Sequence, residues 1–390
     1  MYTYPLGIRR PTRTIRMLWG ALACTLLLIS GCFPALPEDY SDRTVGVDPT
    51  MYPDLRVQGE PNDTFDTALT IILNTKGRAY LQGTISTPDD VDVFVMDGLT
   101  PGDRLLVDVG SVSAALDARL AIFDEAGRLA FENDDRSAAL FQYDPYLNVV
   151  IRRESMVYFL AIARSPFAER RAYGSYEALI TVVHGSNVPV PVPQTLVLNF
   201  GGGSIFIPPS SRYTVGAFDT ADIHPAYAGQ TQAVQNQIVA TMLNNFEGLA
   251  LDLRVVPSDA WPPANTYSTL LFGGTHSRAL GIAQDIDAYN SDQTDEAIVF
   301  TDLFTPSRFG RVLSNAELGT AIGNVATHEM GHLLGLRHVA NIYDLMDTTG
   351  SSATLLLNQD WLDSPLDETI FPIGTQDGLL LLLETIGWLP

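Results

Sequence analysis

Eleven residues, 328–338, constrain this chain more than anything else in it: His-Glu-Met-Gly-His-Leu-Leu-Gly-Leu-Arg-His. His328 and His332 are one helical turn apart, so on a helix both rings leave the same face, about 5–6 Å apart at Cβ, and reach a common point. The preceding run supplies that helix: Ser314-Asn315-Ala316-Glu317 has capping-box spacing, and Leu318, Ile322, Val325 and Met330 are spaced along an apolar face. Gly335 can take the left-handed conformation that stops a helix, and the returning chain brings His338 toward the same point. Three histidines and Glu329 on an otherwise apolar helix are costly to bury without a metal. Three neutral imidazoles leave the fourth tetrahedral position of a zinc ion to water, as in a catalytic site. Zinc moves the pKa of that water towards about 7, and Glu329 is the group to accept its proton and deliver it to a leaving amine.

The pattern His-Glu-x-x-His-x-x-Gly-x-x-His resembles the signature of the metzincin metallopeptidases at every specified position. The resemblance implies His328, His332 and His338 as zinc ligands, Glu329 as catalytic base, and a methionine turn beneath the metal. Tyr343-Asp344-Leu345-Met346-Asp347 fits that turn, and Met346 is the only methionine downstream of the motif. Some relatives carry a tyrosine two residues after this methionine, as an extra zinc ligand or oxyanion donor; here the residue is Thr348. Gly281 to Asp287 is the candidate edge strand along which an extended substrate pairs, and Thr375 to Ile386 resembles the last helix of such domains. His184, His224 and His276 lack ligand spacing and are expected to be surface or hydrogen-bonded histidines.

Residues 1–31 have the layout of an export signal: arginines up to Arg16, an apolar run from Met17 to Ile29, then Ser30 and Gly31. That run is short against the roughly 20 residues a membrane-spanning helix needs. Leu28-Ile29-Ser30-Gly31-Cys32 resembles the bacterial lipobox, which implies cleavage before Cys32, lipidation of Cys32, a membrane anchor and a place in the cell envelope, outer membrane or surface ahead of inner membrane. Cys24, the only other cysteine, is lost with the signal, so cysteine nucleophiles, disulfides and cysteine-ligated metals are excluded from the mature chain. Lys and Arg total 23 against 45 Asp and Glu. Such an acidic surface repels phosphate backbones, so nucleic acid is not an expected partner.

Residues 32–57 lack periodicity and suit a lipidated tether. From 58 to 184 short alternating segments recur between turn signals, the pattern of an all-β sandwich. Glu60-Pro61-Asn62-Asp63-Thr64, Asp90-Val91-Asp92-Val93-Phe94 and Asn133-Asp134-Asp135 in this stretch resemble the bacterial pre-peptidase C-terminal domain, a sandwich appended to secreted peptidases. Glu60, Asn62, Asp63, Asp90 and Asp92 are oxygen donors of the kind calcium takes, although Asp and Asn also gather at turns and Gln58 stands where an acid is often found. Residues 185–194 contain alternating prolines and form a stiff linker. From 195 to 390 the pattern turns mixed, strand with helix.

The expected architecture is therefore multidomain: an all-β sandwich, then an α/β (α+β) metzincin-like catalytic domain with a mixed sheet and an active-site helix. The expected function is a zinc metalloendopeptidase acting on extracytoplasmic proteins or peptides. The competing class is a cell-surface binding or adhesion lipoprotein with a non-catalytic zinc site; hydrolysis of a non-peptide amide shares the same zinc chemistry.

Overall fold

The computed structural model describes residues 56–389, apart from 58, 113–115, 138–139, 141, 169–171, 186 and 208–210. The signal segment, Cys32 and nearly all of the tether lie outside the described residues.

The N-terminal unit consists of β1 (Arg56–Val57), β2 (Leu69–Thr70), β3 (Arg78–Ile85), β4 (Val91–Asp97), β5 (Arg104–Ser111), β6 (Ala118–Phe123), β7 (Leu129–Asn133), β8 (Tyr146–Val150), β9 (Val157–Arg164) and β10 (Gly174–Val183). They form two five-stranded sheets, β1-β3-β10-β5-β8 and β2-β4-β9-β6-β7. Period-2 alternation explains the packing: Leu105, Val107 and Val109 of one sheet meet Leu120, Ile122, Leu160 and Ile162 of the other in a shared core. The β6 and β9 sequences do not alternate. Every residue of β6 is buried, because the outer face of its sheet is covered as well.

The C-terminal unit contains β11 (Gln194–Asn199), the hairpin β12 (Gly203–Ile207) and β13 (Ser211–Val215), α1 (Thr220–Ile223), α2 (Thr231–Asn245), β14 (Leu251–Val256), β15 (Ser268–Phe272), β16 (Gly281–Ala283) and β17 (Glu296–Val299). It continues through α3 (Pro306–Phe309), α4 (Asn315–Leu333), β18 (Asp363–Pro365), β19 (Thr375–Asp377) and α5 (Gly378–Thr385). The main sheet has the order β14-β11-β15-β17-β16. All its pairings are parallel except that of β16, the antiparallel edge strand. One face packs against α2 and α4 through Leu198, Leu270 and Phe272 with Val234, Ile238, Leu318 and Ile322. The hairpin covers the other face through Ile205 and Ile207, which lie against Leu271 and Ile298.

Three expectations need correction. Gln194, assigned to the linker, begins β11, where its side chain donates to Ser268 Oγ at 2.9 Å. Thr375 to Asp377 is a strand, and α5 starts only at Gly378, with Asp377 capping its N-terminus through Leu380 N. The proline run does not hold two bodies apart. Val192 N donates to Thr385 O at 2.9 Å, and the two units share a broad contact.

That contact covers the outer face of β6 and β9. Leu366, Ile370 and Phe371 of the C-terminal unit join Val93, Ala121, Phe123 and Phe159 of the sandwich in one apolar cluster. Arg119, 4% exposed, donates to the carbonyls of Glu368, Thr369 and Ile370. Arg153 bonds Asp124 at 3.0 Å and makes a bidentate pair with Glu384 at 2.8 Å. Tyr289 OH donates to Ala130 O at 3.0 Å, with the Arg152 guanidinium over its ring.

Candidate metal centre

The long helix α4 forms where the sequence places it. Ser314 Oγ accepts from Glu317 N while the Glu317 carboxylate accepts from Ser314 N, a closed capping box. Apolar packing on α2 and the sheet buries nearly the whole helix, so His328 and Glu329, at 3% and 2% exposure, are held inside the protein. Gly335 then has φ +92°, and a Cβ there would lie 2.8 Å from Asp287 O and 2.9 Å from Tyr289 N. Glycine alone fits this tight return, which carries the chain to His338.

The three imidazoles converge. His332 Nε2 lies 3.1 Å from His328 Nε2 and 3.0 Å from His338 Nε2. His328 Nδ1 is 2.8 Å from Leu345 O, and His332 Nδ1 is 2.8 Å from Leu336 O. A carbonyl only accepts, so both Nδ1 atoms carry the proton and both Nε2 atoms present a lone pair. Two lone pairs at 3.1 Å repel unless a proton or a cation lies between them. Burial opposes the proton: it lowers His328 to about 4, and burial together with the neighbouring rings puts His332 and His338 well below the ordinary imidazole value. The donor set therefore fits a divalent cation that takes neutral nitrogen ligands, and zinc is one.

The Glu329 side chain lies against the edge strand. A Cβ at Gly281 would come within 2.4 Å of its Oε1, and the Ala283 N–H donates to the carboxylate. Burial raises its pKa to about 8. The carboxylate thus touches β16, the only strand of the sheet that runs antiparallel to its neighbour and one of the sheet's two edges. The strand expected over Gly281 to Asp287 is shorter than predicted, ending at Ala283. Met346 is fully buried, with its Sδ packed against Gly331, where a Cβ would be 2.5 Å away. Thr348 directs its hydroxyl to Asp367 Oδ2 at 2.8 Å.

A small cavity of about 50 Å³ opens beside His328, lined by Leu280, Leu345, Leu355, Arg308, Asn324 and Asp347 among others. Asp347, 5% exposed, accepts from Thr349 N, Thr349 Oγ1 and Gly350 N. Sequence spacing did not single out Asp347 or Gly281. Their positions depend on chain returns that no local pattern encodes.

The other histidines are hydrogen-bonded, as expected. His184 Nδ1 meets Asp103 at 2.9 Å, His224 accepts from Ala226 N, and His276 accepts from Ala279 N while stacking on Phe300. In the sandwich, Glu60, Asp90 and Asp92 bring carboxylate oxygens within 4.8 Å of one another beside the buried Asn62; Asp63 is exposed and is not one of the three. Burial raises Asp92 to about 8, against a 2.7 Å hydrogen bond from Tyr176 OH. A second acidic group, Asp117, Asp134 and Asp135, lies near β6 and β7.

No family model matches the chain, and no curated protein matches it. Among solved structures the chain is similar to archaemetzincin from Methanopyrus kandleri, at 13% identity over 51% of this chain and 98% of that one, with a TM-score of 0.27. It is also similar to the pre-peptidase C-terminal domain of collagenase from Bacillus anthracis, at 16% identity over 32% of this chain and 100% of that one, TM-score 0.23. A third similarity is to PliG, a periplasmic lysozyme inhibitor of g-type lysozyme from Aeromonas hydrophila, at 12% identity over 33% and 99%, TM-score 0.25.

Proposed function

We propose that the protein is a metzincin-like zinc endopeptidase of the cell envelope, anchored by a lipid on Cys32, with His328, His332 and His338 as zinc ligands and Glu329 as the catalytic base. The observation that carries this reading is the convergence of three buried histidine nitrogens within reach of one ion, on a helix whose neighbouring Glu329 carboxylate abuts an edge strand.

Zinc, when bound, polarises a carbonyl and acidifies water. The chain's own residues do the rest. The free edge of β16 offers main-chain hydrogen bonds to an extended peptide, which fixes direction without demanding a particular side chain. Pairing there lays the peptide past Glu329. The Glu329 carboxylate, ionised once a cation offsets its burial, takes the proton of the attacking water and returns it to the leaving nitrogen. Leu345 O and Leu336 O hold the two helical rings in the ligand tautomer. Met346 gives the rings an apolar floor, and the cavity beside His328 receives a substrate side chain next to the scissile bond.

The test compares wild type with Glu329→Ala for zinc per chain and for cleavage of an unfolded protein. We expect one zinc in both and a rate at least about 100-fold lower in the variant, the scale of a lost general base. Zinc in both with no cleavage by wild type would favour the surface-binding reading. Absence of zinc from folded wild type would remove the basis of both.

A further inference from the structure

We propose that the β-sandwich is a working part of the metal centre: Glu132 of β7, by holding Arg337, positions His338, so that zinc affinity depends on a contact between the two units. The inference rests on the triad being a zinc site.

The three ligands are not supported alike. His328 and His332 sit on α4 and are oriented by carbonyls of their own unit. His338 sits on a segment with no regular secondary structure, after the turn at Gly335. Its backbone is held from outside. Gln376 brackets the neighbouring peptide, accepting from Arg337 N at 2.7 Å and donating to Arg337 O at 2.8 Å. Asp367 N donates to His338 O at 3.1 Å. Both Asp367 and Gln376 belong to the stretch docked on the sandwich, where Arg119 binds the carbonyls of 368–370 and Thr375 N donates to Gly127 O at 2.9 Å.

The side chain of Arg337 completes the support. It reaches across the interface to Glu132 at 2.8 Å, with side-chain exposures of only 17% and 10%. A pair this buried has a well-defined geometry, and removing one partner leaves the other charge stranded next to the third ligand. Groups that orient a metal ligand from behind commonly change affinity 10- to 100-fold when lost. Glu132 and Arg337 are thus positioning residues, acting on the metal through His338.

The experiment measures the zinc dissociation constant of the full-length chain by competition with a chromophoric chelator. The variants are Glu132→Ala, Glu132→Gln, Arg337→Glu and the charge-swapped pair Glu132→Arg with Arg337→Glu. Arg128→Ala serves as the control, since it breaks more exposed pairs at the same interface, with Asp363 and Asp377, and leaves the Glu132–Arg337 pair in place. We expect each single change at Glu132 or Arg337 to weaken zinc about 10- to 100-fold, the swapped pair to recover most of it, and the control to match wild type. In a His338→Ala background, Glu132→Ala should add no further loss. Should Glu132→Ala fail to fold, the isosteric Glu132→Gln carries the comparison. Wild-type affinity in the single variants, or equal weakening by Arg128→Ala, would overturn the inference. A wild type that binds no zinc would instead overturn the zinc reading on which it rests.

Discussion

A carboxylate as buried as Glu329 keeps its proton at neutral pH unless a cation stands near it, so its chemistry and the histidine triad are one question. Gly281 is the residue that leaves Glu329 room. Its missing Cβ would occupy space 2.4 Å from Oε1, and the obstructing atom is the end of a side chain that can move. Gly281→Ala should therefore fold, bind zinc as wild type does, and lose about 10- to 100-fold in kcat, because the proposed base is displaced while the proposed ligands are untouched. A wild-type kcat in that variant would mean the carboxylate does not act from its position against β16. The proposed lipid on Cys32 belongs to this scale too: mass analysis of the protein expressed in a bacterial host should find a chain that begins at Cys32 and carries lipid, and an unmodified Cys32 would overturn that proposal.

Among the elements, α4 and the turn after it matter most. The helix itself was legible: a capping box, spaced apolar residues and a terminating glycine are local signals, and the structure has the helix start and stop beside them. The turn is less forgiving. At φ +92°, with backbone atoms 2.8 and 2.9 Å from any added Cβ, Gly335→Ala should cost about 2 kcal/mol or more and weaken zinc as well, since His338 lies just beyond. Denaturant unfolding with a parallel zinc titration checks both effects. An alanine variant as stable as wild type would mean the turn relaxes freely. By contrast, β16 was only half legible. Three residues of edge strand carry almost no periodic signal, and what defines them is pairing with β17 across the intervening loop.

For the whole molecule, the distribution of buried acids sets the response to pH. Burial raises Asp92 and Asp134 to about 8 and Asp295 to about 7. Between the ordinary carboxyl value and these raised ones, the folded chain holds protons that the unfolded chain has released, so stability falls as pH rises through that window. His328, lowered to about 4, works the other way, but only below its ordinary value of 6.5, where the unfolded ring takes the proton first. Above about pH 6.5 the acids act alone. Chelator-treated protein should melt at a lower temperature at pH 8 than at pH 6.5 in a thermal scan, and an equal or higher melting temperature at pH 8 would contradict this assignment.

Local order along the chain determined much. The sequence by itself set the histidine spacing, the capped helix, the glycine turn and most of the sandwich strands, because each depends on residues within one or two turns of each other or on period-2 alternation. It also contained a sign of the interface, the apolar runs Leu120 to Phe123 of β6 and Val157 to Ala163 of β9, which alternate too little for a sheet with one wet face. Tertiary structure alone decided that Leu366, Ile370 and Phe371 cover that face, that Glu329 meets Gly281, and that Arg337 reaches Glu132. Those contacts join residues tens to hundreds of positions apart. Burial and shape select them only after the chain has folded, and no spacing rule records them.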